Sequence, residues 1–472
     1  MFIFILLCVF WILYKGLHFI HVFEEKDYRL DRFQAGISDN GFISLFYTYK
    51  IALPSVTLRN FMILSFHFLV TGVLFLFAFE DVYVYNLLSY FFWLAPFIAF
   101  IIVLTAIVLT QIPVQIYRWI IIQTARLKMR NSKTVFIGIT GSYGKTAIAN
   151  CLYKIFSKQY AVAMTDPRYT NDIGIARAIL RNLSDDTEVF IVEIGSYKKG
   201  EIKNSIYYIP FDYVILTGIG NHRFDLFGSK ENMYEEFTSP LSNLSDDATV
   251  YMNAEIPSPK TNARIVTYDF SEHADIHPTQ YTFSQTYTKS RIHYKKHSWN
   301  ITTALLGKHS LQNILPVFAL CIDLGIKPTE VIHELQELKH DKGSFSVHRG
   351  LHKSVVIVDT QESNLNGLLL KLDFLKHFPQ KRKCIVTPGI RELGGEKRGA
   401  YESLVGKIAK YNMELYTTDI FLNHSKKEER VFTFNDVLHL QKQLLLKVDK
   451  STVILLDGKL PGTLIDSLIV HK

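Results

Sequence analysis

Two glycines, a lysine and a threonine stand at fixed spacing in the run Gly141-Ser142-Tyr143-Gly144-Lys145-Thr146. Residue types in this order suit a phosphate. The glycines let backbone N–H groups turn inward around phosphate oxygens, Lys145 adds a charge for the β- and γ-phosphates, and the Thr146 hydroxyl can hold Mg2+. Ile139 occupies the place where the commonest pattern has its first glycine, so the match is to the shorter T-G-x-x-G-K-T variety. What must position such a loop is a strand before it and a helix after it. Val135-Phe-Ile-Gly-Ile-Thr140 reads as a buried strand, and Ala147 to Phe156 reads as a helix whose N-terminus faces the phosphates. Nucleotide chemistry, with ATP and Mg2+, is the first expectation.

Two further residues could complete a metal site. A second apolar strand, Val189-Phe-Ile-Val192, ends in Glu193, and a carboxylate at the carboxyl end of a strand beside a phosphate loop is where a nucleotide-bound metal needs a ligand. His222 follows another strand in Thr217-Gly-Ile-Gly-Asn-His222-Arg-Phe-Asp-Leu-Phe-Gly228-Ser229 and is a candidate second ligand. Taken singly, each has an ordinary reading: a solvated strand-end glutamate and a loop histidine.

The chain has 472 residues, enough for two to four domains, and 48% of them are hydrophobic. The apolar excess sits before the phosphate loop, in three runs: Met1 to about Tyr14, continuing as a span to about residue 22, then Phe61 to Phe79 and Leu87 to Thr110. The second and third, about 19 and 24 residues long, suffice to cross a hydrocarbon layer of roughly 30 Å as helices. The first has no basic residue before its apolar core and no small-residue cleavage site, so it reads as a span rather than a signal peptide. Lys26, Arg29, Arg32, Lys50 and Arg59 lie between the first two spans, and Arg118, Arg126, Lys128, Arg130 and Lys133 follow the third. Glu80 and Asp81 are the charges in the remaining connection. Both basic segments therefore belong in the cytoplasm, with the phosphate loop, and the N-terminus outside. The net charge of +8 reflects these juxtamembrane residues, which can also meet anionic membrane lipid. No basic stripe interleaved with aromatics points to nucleic acid, and Cys8, Cys151, Cys321 and Cys384 lack metal-knuckle or disulfide-framework spacing.

From Thr134 onward, strand-like runs alternate with helical patterns: Tyr213 to Leu216, Ala248 to Tyr251, Val355 to Val358, Cys384 to Thr387 and Val453 to Leu456 join the two already named. Alternation of this kind predicts an α/β fold with mostly parallel sheets covered by helices. Asp269 to Lys296 reads as antiparallel strands, Pro328 to Leu338 as a helix, and a domain boundary falls between it and Gly350.

The joint order of these motifs resembles the Mur ligases of peptidoglycan synthesis, most closely those that add D-alanyl-D-alanine. The resemblance covers about Thr134 to Leu464 and rests on Thr140 to Thr146, Tyr169-Thr-Asn171-Asp-Ile-Gly174, Glu193-Ile-Gly195 with Gly200-Glu-Ile202, His222 with Phe227-Gly-Ser229, Gly307-Lys-His309-Ser-Leu-Gln-Asn313, and Pro388-Gly-Ile-Arg-Glu392. Beyond the membrane region read from the apolar runs (1–125), it implies a central ATP-binding domain (126–341) and a C-terminal Rossmann-like domain (342–472). It also implies a reaction in which the γ-phosphoryl group of ATP passes to a muropeptide carboxylate and an amine such as D-Ala-D-Ala displaces the phosphate. By the same resemblance Gly141 to Thr146 bind ATP, Lys145, Glu193 and His222 are catalytic, and Thr146, Glu193 and His222 hold metal. Asn171 meets the substrate, His309 and Asn313 face the adenine, and Arg349 and Asp359 reach ribose and phosphate.

Three departures stand against that pattern. The family's UDP-sugar domain is replaced by the apolar spans. Tyr234 falls where the family carries a lysine that becomes carbamylated, and Val358-Asp-Thr-Gln-Glu-Ser-Asn364-Leu keeps Asp359 and Asn364 but loses the first acid and the proline of the usual run. The alternatives are a degenerate ATPase with a regulatory or scaffold role and a ligase for another peptide or glutamate substrate.

Overall fold

The computed structural model describes residues 2–26, 28, 30, 33, 46, 53–80, 82–196, 200–219, 227, 229–284, 286–338, 345–360, 365–390, 397–419, 421–422 and 430–470. The chain divides into two compact units, residues 1–121 and 122–472.

The first unit is helical. Helices α1 (Phe2–Glu25) and α2 (Leu58–Glu80) and the long α3 (Val82–Arg130), which runs on past residue 121, are apolar on nearly every face, and all three contain stretches long and apolar enough to cross a membrane. Helix α1 does not stop near Lys15 or residue 22. No proline follows to end it, and Lys15 is accommodated by full burial, with its ammonium 5.1 Å from the Trp11 ring. The third helix likewise passes Thr110, with Pro96 and Pro113 inside it. Phe19, Phe23, Phe33 and Phe46 lie in the buried core of this unit, with the partly buried Phe100 packed against them. Helices α1 and α2 touch at Gly16, where an added Cβ would fall 2.1 Å from His67 Nε2, the atom that donates to the Ile12 carbonyl at 3.2 Å.

In the second unit the strand–helix alternation folds as two sheets. The first comprises β1 (Val135–Thr140), α4 (Lys145–Phe156), β2 (Val162–Met164), α5 (Asp172–Asn182), β3 (Val189–Glu193), α6 (Glu201–Tyr208), β4 (Tyr213–Leu216), α7 (Lys230–Thr238), β5 (Thr249–Asn253), β6 (Arg264–Tyr268), β7 (Ile276–Phe283), β8 (Thr288–Tyr294) and β9 (His297–Thr303). Helices α8 (Gly307–Asp323) and α9 (Pro328–Glu337) follow. The strand order is β2-β3-β1-β4-β5-β6-β7-β8-β9, parallel as far as β7 and antiparallel through β7, β8 and β9. The polar stretch from Asp269 thus holds antiparallel strands, as its pattern predicts, and they continue the parallel sheet through β7.

The second sheet contains β10 (Ser346–Arg349), β11 (Val355–Asp359), α10 (Leu365–Leu375), β12 (Arg382–Thr387), α11 (Lys397–Lys410), β13 (Glu414–Thr417), β14 (Val431–Thr433), α12 (Val437–Leu445), β15 (Thr452–Asp457) and α13 (Gly462–Leu468). Its order is β10-β11-β15-β12-β13-β14, parallel except for β10 against β11. Central strands such as β3 and β15 are buried along their whole length, which is why they read as unbroken apolar runs. Two apolar clusters cover this sheet, one gathering Ile357, Leu368, Leu372 and Leu455, the other Val356, Ile454, Leu440 and Leu464.

Candidate nucleotide site

Strands β1, β3 and β4 lie side by side, with Ile139 opposite Glu193 and Thr140 opposite Leu216, so their carboxyl ends are flush. The phosphate loop leaves β1 at this edge. Gly141 has φ +127° and Gly144 φ +83°, backbone conformations that a Cβ penalises. Space excludes a side chain as well: a Cβ at Gly141 would lie 2.0 Å from Thr217 Oγ1, and one at Gly144 would lie 2.5 Å from Asn313 Oδ1. The loop is therefore clamped between the segment after β4 and helix α8. Backbone bonds fix it further, with Thr217 N–H donating to the Thr140 carbonyl at 2.8 Å and Ser142 N–H to the Gly218 carbonyl at 3.0 Å.

Helix α4 starts at Lys145, so its first N–H groups point out of the loop toward the place a phosphate would take. Lys145 Nζ donates to the Gly141 carbonyl at 2.8 Å, across the loop's own mouth. Thr146 Oγ1 donates to both oxygens of Glu193, at 2.9 and 3.0 Å. Glu193 is buried, and its backbone N–H donates to Thr165 Oγ1 at 2.9 Å. A hydroxyl and a carboxylate in contact beside a helix N-terminus form a hard-oxygen donor set that fits Mg2+. Thr140 and Thr217 add buried hydroxyls with no hydrogen-bond partner among the described residues.

Tyr143 turns from the loop onto Gly218, where an added Cβ would fall 1.9 Å from its hydroxyl oxygen. Burial, then Glu255, Asp269 and Tyr234, push this phenol up to about 12, so it stays protonated.

The remaining expected residues are distributed as follows. Asn171 caps α5, its Oδ1 accepting from Gly174 N–H at 2.8 Å, and Gly195 N–H donates to the Thr170 carbonyl at 3.0 Å, tying this segment to the end of β3. Asn313 lies on Gly144 of the phosphate loop. His309 lies edge-on to Phe345, ring centroids 4.8 Å apart, with Ser310 Oγ 3.2 Å from its Nε2. Arg349 is exposed on β10, and Asp359 ends β11 in an ion pair with Lys371. His222, Asn364 and Glu392 lie outside the described residues.

Three residues were not singled out from sequence, two of them at or near this edge and one beside the second sheet. Thr217 packs on Gly141, and its cue was the Thr-Gly pair directly after a strand. Glu236 of α7 is buried and receives the N–H groups of Gly200 and Ile202 and the Ser196 hydroxyl, which anchors α7 to the start of α6 beyond Glu193. Burial raises its carboxyl, against those hydrogen bonds. Lys371 gave no local cue at all, being one lysine in an apolar helix.

Residues 139–321 match the Mur ligase middle domain, a stretch that holds the phosphate loop, Glu193 and Asn313. The chain is 26% identical to the UDP-N-acetylmuramoyl-tripeptide–D-alanyl-D-alanine ligase of Bacillus subtilis over 46% of its own length and 47% of that protein. It is 25% identical to that of Rickettsia prowazekii over 68% and 77%, respectively. Against the ligase of Borreliella burgdorferi the match spans 62% of the relative, so the chain covers about half of the Bacillus protein and about three-fifths of the Borreliella protein. Among solved structures, MurF from Acinetobacter baumannii aligns with a TM-score of 0.68 at 18% identity over 74% of this chain and 80% of that one. MurF ligase from Thermotoga maritima in complex with ADP aligns with a TM-score of 0.66 at 19% identity over 72% and 80%. The chain thus carries a Mur ligase middle domain in a MurF-like fold.

Proposed function

We propose that the chain is a membrane-anchored, ATP-dependent ligase that joins a carboxylate of a peptidoglycan precursor to an amine such as D-Ala-D-Ala. One observation carries the reading: the phosphate loop, the Thr146–Glu193 pair and Asn313 meet at one sheet edge inside a Mur ligase middle domain. In the proposed reaction the carboxylate takes the γ-phosphoryl group of ATP to give an acyl phosphate and ADP, and the amine then displaces inorganic phosphate as the amide forms. Such chemistry asks for positioning and charge neutralisation more than for covalent help.

The residues divide this work. The N–H groups of the loop and of α4 bind phosphate oxygens, and Lys145 exchanges the Gly141 carbonyl for the β/γ-phosphates. Thr146 and Glu193 would hold Mg2+, joined by His222, and a metal held there would neutralise charge on the nucleotide. Asn313 keeps the loop in shape through Gly144, Asn171 and its segment face the precursor, and His309, Arg349 and Asp359 attend to the base and ribose. Helices α1 to α3 would hold this machinery against the cytoplasmic face of the membrane, beside a lipid-linked or UDP-linked muropeptide.

A second reading, an ATPase of regulatory role, is favoured by Tyr234 on α7, because a phenol cannot form the carbamate that a lysine forms there in the related ligases. Phosphate release measured with muropeptide and amine together, and with each alone, separates the two. Release that needs both partners supports the ligase, whereas release independent of both supports the second reading.

A further inference from the structure

The helical unit holds a guanidinium that nucleotide chemistry leaves unused. Helices α1 and α2 are joined at one end by a polar corner. Ser55 N–H donates to Glu24 Oε2 at 2.8 Å, the Ser55 hydroxyl donates to the same carboxylate, and the Asn60 side-chain amide donates to the Ser55 carbonyl at 3.0 Å. Tyr28 closes the corner. Its hydroxyl donates to Asn60 Oδ1 and its N–H to the Phe23 carbonyl at 2.6 Å, on a left-handed backbone with φ +56°. An L-residue is held in that conformation at a cost, and the strained backbone fixes the place of the Tyr28 ring. Arg59 lies over this ring, with Cζ 3.9 Å from its centroid.

The side chains of Glu24, Ser55, Asn60 and Tyr28 are thus partnered with one another or with backbone, and Arg59 is not. Its Nε and Nη2 are enclosed and have no hydrogen-bond acceptor among the described residues. These two nitrogens form one edge of the guanidinium, the side-by-side pair of donors that matches two oxygens of a phosphate or carboxylate. The carboxylates of the corner are committed elsewhere, Glu24 to Ser55 and Glu25 to His21 at 3.5 Å. Arg118 of α3 is close enough to repel Arg59. An enclosed cationic fork beside a second cation is unfavourable until an anion meets it.

Position selects among the oxyanions. Arg59 is the second residue of α2, at the end of the stretch Leu58–Leu76 that is long and apolar enough to cross a membrane, and lipid phosphates lie at that boundary. We propose that Arg59, held over Tyr28 and assisted by Arg118, binds the phosphate of an anionic membrane lipid at the cytoplasmic end of α2, a step that rests on the membrane reading of α1 to α3. The fork gains most from a headgroup with net negative charge, such as phosphatidylglycerol, because a zwitterionic headgroup brings its own cation toward Arg59 and Arg118.

The test uses the full chain in a neutral detergent and reads binding of phosphatidylglycerol, phosphatidylcholine and inorganic phosphate by native mass spectrometry. Wild type should bind phosphatidylglycerol about tenfold more tightly than phosphatidylcholine, and inorganic phosphate should not displace it. Arg59→Gln should lower phosphatidylglycerol affinity about tenfold, the value of a lost two-point charge-assisted contact, and leave phosphatidylcholine affinity unchanged. Arg59→Lys should recover only part of that loss, because an ammonium has no fork. Lys26→Gln removes a neighbouring charge and should stay within about twofold of wild type, which separates a built site from summed surface charge. Tyr28→Leu keeps Arg59 but takes away its support and should cost about threefold, which keeps the test decisive where Arg59→Gln fails to fold. Equal affinity of wild type for the two lipids, a loss in Arg59→Gln no larger than in Lys26→Gln, or displacement of the lipid by inorganic phosphate, the mark of a free-anion site, would each overturn the proposal. A full chain that leaves the membrane fraction without detergent defeats the membrane reading instead, and the inference with it.

Discussion

Replacing Gly144 with alanine should cripple nucleotide binding for two separable reasons. At φ +83° an L-residue is held in the left-handed region, which costs roughly 1–2 kcal/mol. The new Cβ would also stand 2.5 Å from Asn313 Oδ1, inside any permitted contact, and overpacking of that kind costs roughly 1–3 kcal/mol. The loop can relieve both by moving away from α8, which turns its N–H groups off the phosphate. ADP affinity measured by calorimetry should fall more than tenfold, since 1.4 kcal/mol is about a factor of ten. The double variant Gly144→Ala/Asn313→Ala removes the overlap but keeps the backbone strain, so it should recover part of the loss. Gly406 on α11 supplies the control: nothing lies within 4 Å of its added Cβ, and alanine there should stabilise the helix by roughly 0.5–1 kcal/mol with ADP affinity unchanged. Wild-type ADP affinity in Gly144→Ala would refute the clamped-loop reasoning.

Other predictions follow from the same geometry. Lys145→Ala and Glu193→Ala should each abolish most nucleotide-dependent phosphate release, and His222→Ala should reduce it more mildly, as measured with a coupled phosphate assay. Activity should not respond to added bicarbonate, and Tyr234→Lys should be tolerated; stimulation of wild-type turnover by bicarbonate would put a carbamylated lysine back in the site. Burial would raise the Asp323 carboxyl, but Lys295, Tyr251 and Tyr294 hydrogen bonds outweigh it and hold the group low. Its stabilisation is therefore present above the unfolded value of about 3.9 and is lost as pH falls through the lower folded value. Acid unfolding should accordingly be less steep in Asp323→Asn. Cysteine labelling in intact cells should reach positions 80–86 from outside and not positions 30–50; the native Cys8, Cys151, Cys321 and Cys384 are all buried and give little background.

The phosphate loop and Glu193 were legible because strand, turn glycines and helix start are consecutive in sequence, and the strand-end position of Glu193 follows from an apolar run alone. The parallel sheets were legible for the same reason, since β3, β4, β11, β12 and β15 each contain a short apolar run. Short or mixed strands such as β2, β6 and β14 escaped, because their partly buried faces leave no clear period. Contacts across the chain escaped too. Asn313 meets Gly144 169 positions away, and Lys371 meets Asp457 86 positions away, pairings that only the packing of α8 and the insertion of β15 create. Lys15 illustrates the opposite error: a charge that reads as the end of an apolar run is buried in mid-helix because its neighbours can house it.

The central claim is tested most directly by incubating the full chain with ATP, Mg2+, a UDP-linked or lipid-linked muropeptide and D-Ala-D-Ala, and following phosphate and product mass together. Ligation predicts one phosphate released for each new amide, dependent on both carboxylate and amine, and lost in Lys145→Ala. Phosphate release without any amide across a panel of muropeptides and amines, or an amide formed equally well by Lys145→Ala, would contradict it.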